Sequence, residues 1–226
     1  METVVLSLGG SVLIPDDDDL DFLRGIASLL RRLSADCSMV VVCGGGRIAR
    51  YYIENGRELG GSEEELDSLG IKVTRINADL LRLALGDRSQ ENLPTTEEEA
   101  VRLLERNRIV VMGGTVPGQT TDAVAASVAE LSGADRIVNA TSVDAVYSDD
   151  PREVGDARRF ERLTFDQFLE VLGSREYGAG QTAVFERKGA ETARRAGIPV
   201  YIVSGRDLEE MERAVKGQQV KGTVIS

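Results

Sequence analysis

No histidine occurs anywhere in this chain of 226 residues. That absence excludes His-based general acid–base catalysis, Ser-His-Asp triads and His-ligated zinc together, so any chemistry must proceed without a base titrating near neutrality. Cysteine is almost as scarce, with Cys37 and Cys43 alone. They bracket a predicted strand at 38–43, which at roughly 3.3 Å per residue sets their Cα atoms about 20 Å apart, far beyond bridging distance. Both read as reduced, buried fillers. No run of 18 apolar residues is present, and Met1-Glu2-Thr3 lacks the basic start of a signal peptide, so the expected setting is the cytoplasm, away from the membrane. Positive charge is also short: 27 Lys and Arg face 38 Asp and Glu, and the lysines are Lys72, Lys188, Lys216 and Lys221 alone. A net charge of -11 repels nucleic acid and anionic lipid, so a phosphate must be met locally by Arg, amide groups or a metal ion.

What is present is a chain with 42% apolar residues, long enough to bury a full core as one unit over 1–226. Apolar, β-rich runs at 3–8, 38–43, 108–112, 136–140, 198–203 and 222–225 alternate with helical patterns. In the first of these helices, at about 19–33, Leu20, Leu23, Ile26, Leu30 and Leu33 recur every three or four residues. Asp16 to Asp19 reads as its capping charge. Further helices are expected after Gly46, at 97–106, 122–132, 164–172, up to 196, and at 207–216. Ser62 with Glu65 makes a capping box, and 63–85 reads as one or two helices broken at Gly70. This alternation predicts an α/β fold, a three-layer αβα sandwich with a mainly parallel central sheet that binds ligands at the carboxyl ends of its strands.

Three predicted strands end in glycine turns: Gly9-Gly10-Ser11, Gly44-Gly45-Gly46 and Gly113-Gly114. The third continues as Thr115-Val116-Pro117-Gly118-Gln119-Thr120-Thr121-Asp122 into a helix. Glycines let backbone approach a ligand, the threonines add hydroxyls, and the helix brings its positive dipole end, which together make a phosphate cradle. A dinucleotide fingerprint is rejected, because no glycine stands at the third position of Gly-x-Gly-x-x-Gly, where Ala49 leads on to Arg50, and the P-loop pattern is absent. Asp67, beside Leu66 and Leu69, is either a surface residue or a ligand contact. The polar segment Thr141 to Pro151 reads as a loop carrying an aromatic and several carboxylates.

Gly9-Gly10-Ser11-Val12-Leu13, Gly44-Gly45-Gly46 with Arg50, Met112-Gly113-Gly114-Thr115 through Thr121-Asp122-Ala123, and Thr141 to Pro151 occur in an order that resembles the amino acid kinase family, and within it the archaeal-type uridylate (UMP) kinases. The resemblance runs from 3 to 225. It implies an acceptor-binding part at about 1–130 and an ATP-binding part at about 131–226. Gly9, Gly10, Gly46 and Arg50 would meet the ATP phosphates, with Ser11 beside them, and Arg50, Gly10 and Ser11 would serve catalysis. Thr141, Tyr147 and Asp150 would line the adenine and ribose pocket. Gly45, Asp67, Thr115, Val116, Pro117, Gly118, Gln119, Thr120 and Thr121 would hold UMP, with Asp67 at the ribose hydroxyls. Mg²⁺ with ATP and a homohexamer built from dimers are also implied, while the metal ligands are unassigned.

The chain departs from the family's pattern at several points. Ser7 and Gly178 stand where relatives often carry lysines, so charge neutralisation would fall to Mg²⁺, Arg50 and backbone amides. Ser142, Ala145, Glu186 and Arg187 replace common Asn, Gly and Asp-Leu. Other readings of the same residues are a kinase of another small acceptor, such as an acylamino acid or isopentenyl phosphate, and a non-catalytic nucleotide-binding or storage protein.

Overall fold

The computed structural model of the protein describes residues 1–14, 20–149, 154–173 and 184–226. The Asp16 to Asp19 cap, Asp150 and Gly178 lie outside the described residues. In chain order the elements are β1 (Glu2–Leu8), α1 (Gly10–Leu13), α2 (Leu20–Leu33), β2 (Cys37–Cys43), α3 (Gly46–Glu58), α4 (Glu63–Leu85), α5 (Glu97–Leu104), β3 (Ile109–Met112), α6 (Thr121–Ser132), β4 (Arg136–Thr141), β5 (Val146–Tyr147), β6 (Arg159–Phe160), β7 (Arg162–Leu163), α7 (Phe165–Gly173), α8 (Arg187–Ala196), β8 (Val200–Ser204), α9 (Leu208–Val215) and β9 (Thr223–Ile225).

The first strands are apolar on both faces, and Val4 to Leu8, Met39 to Cys43 and Ile109 to Met112 are all buried. Such strands need helices on both sides, and they pair in parallel. The main sheet runs β3-β2-β1-β4-β8-β9-β7, parallel throughout except for β8 against β9. One face packs on α2, α4 and α9 through Leu23, Ile26, Leu30, Leu81 and Met211; the other packs on α5 to α8 through Val124, Val128, Phe168 and Ala193. Three layers result, as the sequence predicts. Truncating one fully buried leucine of this core, such as Leu30, to Ala would cost about 2–5 kcal/mol.

Two helices, α6 and α4, bear on the carboxyl edge of the sheet. In α6, Ala123, Val124, Ala125, Ala126, Val128 and Ala129 are buried, so the helix lies in the protein interior, where small side chains let it approach the sheet closely. Its first turn therefore opens at the middle of the carboxyl edge. The helix α4 is one element of 23 residues, so of the two sequence expectations the unbroken helix holds and the break at Gly70 does not. Gly70 serves packing: a Cβ there would lie 3.2 Å from Ile53 Cδ1 of α3, so the missing side chain brings the two helices together. The capping box does start α4, with Ser62 Oγ accepting from Glu65 N and Glu65 Oε2 accepting from Ser62 N.

The amino edge of the sheet is closed by charge. Arg136 donates through both guanidinium nitrogens to Glu2, at 2.9 and 2.7 Å, and to the carbonyl of Val215 at 2.7 Å. Beside it, Asp135 Oδ2 accepts from Thr3 N.

Candidate active site

Because β3, β2, β1 and β4 are neighbours and parallel, the turns that follow them emerge side by side on one edge: Gly113-Gly114, Gly44 to Gly46, Gly9-Gly10 and Thr141. The connections diverge between β1 and β4, which is where an open α/β sheet leaves a crevice at its carboxyl edge. Gly44 N donates to Leu8 O and Gly9 N to Ala140 O, both at 2.9 Å, so the ladder runs on into the turns. The first two turns then press together. A Cβ at Gly10 would lie 2.2 Å from Gly46 N and 2.5 Å from Gly44 O, contacts that no side chain survives. Gly46 also has φ +61°, a conformation that favours glycine. Ser11, in the short helix α1, is exposed beside them. Arg50 lies one turn into α3, exposed, with no ion pair to a described residue.

The 113–121 loop is held from two sides. Thr115 Oγ lies 3.0 Å from Glu97 Oε1 and 3.1 Å from Gln119 Oε1, and Gly118 N donates to Asp67 Oδ2 at 2.7 Å. Val116, Pro117 and Gly118 are exposed at its tip. Thr120 caps α6 by accepting from Ala123 N and donates its own proton to Glu186, while Thr121 is the first residue of the helix. Asp67 is thus placed against this loop. One of its oxygens is spent on the loop backbone.

Behind the loop sits an acid of the same motif to which the sequence alone assigns no role. Asp122 accepts from Ser7 Oγ at 2.9 Å, and Ser7 is itself buried on β1. Burial pushes the Asp122 carboxyl up to about 6, against the opposing hydrogen bonds from Ser7 and from the Glu186 backbone, and the Glu186 charge adds to the rise. Asp122 keeps some exposed surface as a residue, but its carboxyl is enclosed by protein. Burial also raises both thiols, Cys37 to about 11, where the Arg136 charge opposes it and the Asp36 and Glu2 charges add to it, and Cys43 further by burial alone; both cysteines are free and buried, as inert fillers should be.

Thr141 ends β4, and its carbonyl accepts from Gly205 N. Tyr147 lies in the separate two-stranded sheet of β5 and β6, with its hydroxyl bonded to Asp144. Ala145 is buried and Ser142 exposed. Sequence reasoning misses Thr74, Arg75, Asn77 and Glu97, all of which hold the turns. Gly114 N donates to Thr74 Oγ at 2.7 Å, Arg75 donates to the carbonyls of Gly114 and Thr115, and Asn77 Nδ2 donates to Gly44 O at 2.8 Å. For the three on α4 the signal is their position C-terminal to Asp67 on one helix, which becomes visible once α4 is known to be continuous.

A matching family model, the amino acid kinase family, covers residues 2–204. The chain belongs to that family. Its curated relatives include the uridylate kinase of Methanoculleus marisnigri, 42% identical over 100% of this chain and 96% of that protein. Among solved structures, the uridylate kinase of Archaeoglobus fulgidus superposes with a TM-score of 0.90 at 42% identity, each chain covered in full. The UMP kinase of Bacillus anthracis shares the fold, with a TM-score of 0.81 at 23% identity over 100% of this chain and 96% of the other.

Proposed function

We propose that this protein is a UMP kinase, transferring the γ-phosphoryl group of ATP to the phosphate of UMP to give UDP and ADP, a step of pyrimidine nucleotide synthesis. One observation carries the reading: three glycine turns and a capped helix N-terminus converge on one sheet edge, in a chain whose full-length relatives are named uridylate kinases. An oxygen of the UMP phosphate forms the new bond to the γ-phosphorus as the bridging bond to the β-phosphate breaks, and that electron pair leaves on ADP. The attacking oxygen is already anionic, so no base is needed and the missing histidine costs little.

In this reading Gly9, Gly10, Ser11, Gly46 and Arg50 receive the ATP phosphates, and Arg50 supplies the protein cation at the transferring group. Thr141, Tyr147 and Asp150 line the adenosine side. Gly45, Asp67 and residues 115–121 hold UMP, with Asp67's second oxygen at the ribose. The part up to about 130 takes the acceptor and the part beyond it the donor. Ser7 and Asp122 supply hydrogen-bonding capacity and charge at the point where a lysine would otherwise stand, and neither neutralises phosphate.

Mg²⁺ is expected to arrive with ATP. Among the described residues no group of three or more Asp, Glu, His or Cys side chains is gathered to hold a metal. An ion carried mainly by phosphate oxygens and water needs no such group. Exposed apolar side chains on α3 and α4, among them Tyr51, Tyr52, Ile76 and Leu83, support self-association, with a homohexamer built as a trimer of dimers as the expected form. No helix of the described residues is long and apolar enough to cross a membrane, and the cytoplasm is the proposed location. A coupled ADP-release assay across UMP, CMP, dUMP and isopentenyl phosphate tests the assignment. UMP should be turned over fastest, and turnover of isopentenyl phosphate alone, or of nothing, would overturn it.

A further inference from the structure

The unbroken helix α4 touches both halves of the site within a single turn. Thr74 is buried, and its hydroxyl donates to Ile71 O at 2.7 Å, which fixes the side chain and leaves a lone pair for Gly114 N, also at 2.7 Å. The methyl of the same residue faces the other way: a Cβ built at Gly45 would lie 3.4 Å from Thr74 Cγ2. Three residues on, Asn77 is 3% exposed and donates to Gly44 O at 2.8 Å and to Gly45 O at 3.4 Å. Gly44 in turn packs on Gly10. The approach at the third turn is as close, since a Cβ at Gly113 would meet Thr74 Oγ at 2.7 Å and Arg75 N at 2.8 Å.

We propose that the Thr74 to Asn77 turn of α4 is a positioning element that sets the spacing between the 113–121 loop and the Gly44 to Gly46 turn, with the Thr74 hydroxyl governing the first and the Asn77 carboxamide the second. The assignment of the two sides to acceptor and donor rests on the kinase reading. In-line transfer needs the attacking oxygen and the γ-phosphorus held about 3–3.5 Å apart, and an error of 1 Å can cost about 100-fold in rate. A helical turn bonded to both backbones at once is a rigid gauge for that distance. Neither residue touches a reacting atom; each acts through the backbone it holds.

Steady-state kinetics on the intact protein, with both substrates varied, separates this role from general support of the fold. Thr74→Val keeps the shape and removes the acceptor for Gly114 N–H; it should raise KM for UMP about tenfold and leave KM for ATP within about twofold. Thr74→Ser keeps the hydroxyl and should restore KM for UMP. Asn77→Asp, which turns an oxygen toward the Gly44 and Gly45 carbonyls, should instead lower kcat about tenfold and raise KM for ATP, with KM for UMP rising less than in Thr74→Val because only Gly45 of that turn stands on the UMP side. Should that variant fail to fold, Asn77→Ser carries the same arm. The proposal is overturned if Val and Ser at 74 behave alike, or if the 74 and 77 variants shift both KM values together in proportion to a lowered thermal midpoint. A wild-type protein that binds ATP yet turns over no UMP would overturn the kinase reading, and with it the donor and acceptor assignment.

Discussion

The two ends of the central sheet are built on opposite electrostatic terms. At the amino edge charge is paired: Arg136 grips Glu2 and the Val215 carbonyl, and the Arg136 hydrogen bond holds the Glu2 carboxyl below its ordinary value. At the carboxyl edge two charged residues, Arg50 and Asp122, have no ion pair to a described residue. Arg50 is exposed, and Asp122 is enclosed with a serine hydroxyl and a backbone N–H for partners. The pairing at one edge and the raised, buried carboxyl at the other make the two edges respond differently to substitution and to pH.

Removing Arg50 should have the largest effect. Arg50→Ala is expected to lower turnover of UMP by about two orders of magnitude or more, as for loss of a preorganised charge at a phosphoryl-transfer site. Near-normal turnover would erase the functional half of the contrast. Next comes Asp67. The wild type should prefer UMP over dUMP by roughly tenfold to a thousandfold in kcat/KM, and Asp67→Ala should cost most with UMP and so narrow the ratio. Equal losses on both nucleotides would mean that its bond to Gly118 N, which shapes the loop, is its whole contribution.

Effects on stability should be smaller, and pH enters them with opposite signs at the two edges. Asp122 is raised from an ordinary 3.8 to about 6, so folding favours its neutral form. The stability it contributes is complete below about 3.8 and is lost as pH rises through about 6. Asp122→Asn should then raise the thermal midpoint at pH 8, by a stability gain on the order of 2 kcal/mol, and the two proteins should converge toward pH 4. A lowered midpoint at pH 8 would show the carboxylate to be paired after all. Glu2 is lowered, so its contribution is present above about 4.5 and is lost as pH falls through the folded value. Arg136→Ala should cost about 1–2 kcal/mol at neutral pH, at the modest end for charged hydrogen bonds because Glu2 is half exposed, with kcat unchanged. The smallest effect is expected at Arg57, on the same helix as Arg50 but in a solvent-exposed ion pair with Glu63. Arg57→Ala should shift stability by less than about 1 kcal/mol and kcat hardly at all, and a large kinetic loss there would remove the contrast with Arg50.

By itself the sequence determined the layers and set the glycine turns at the strand ends. Strand runs such as Met39 to Cys43 are apolar at every position, which only a sheet covered on both faces can accommodate, and glycines at strand ends announce close backbone approach. The Ser62 and Glu65 capping box was legible because it is a pair of local hydrogen bonds within four residues. What only the tertiary structure decided is long-range. Gly70 looks like a break in sequence and becomes a packing surface against Ile53. That continuity aligns Asp67, Thr74 and Asn77 along α4, from which they reach turns 32 to 51 residues away in the chain. Ser7 and Asp122 meet across a separation of 115, between adjacent β1 and α6. No periodicity encodes such pairs. They exist because parallel strands with crossover helices bring distant turns to one edge, where the burial that shifts Asp122 is a property of the assembled layers and not of any segment.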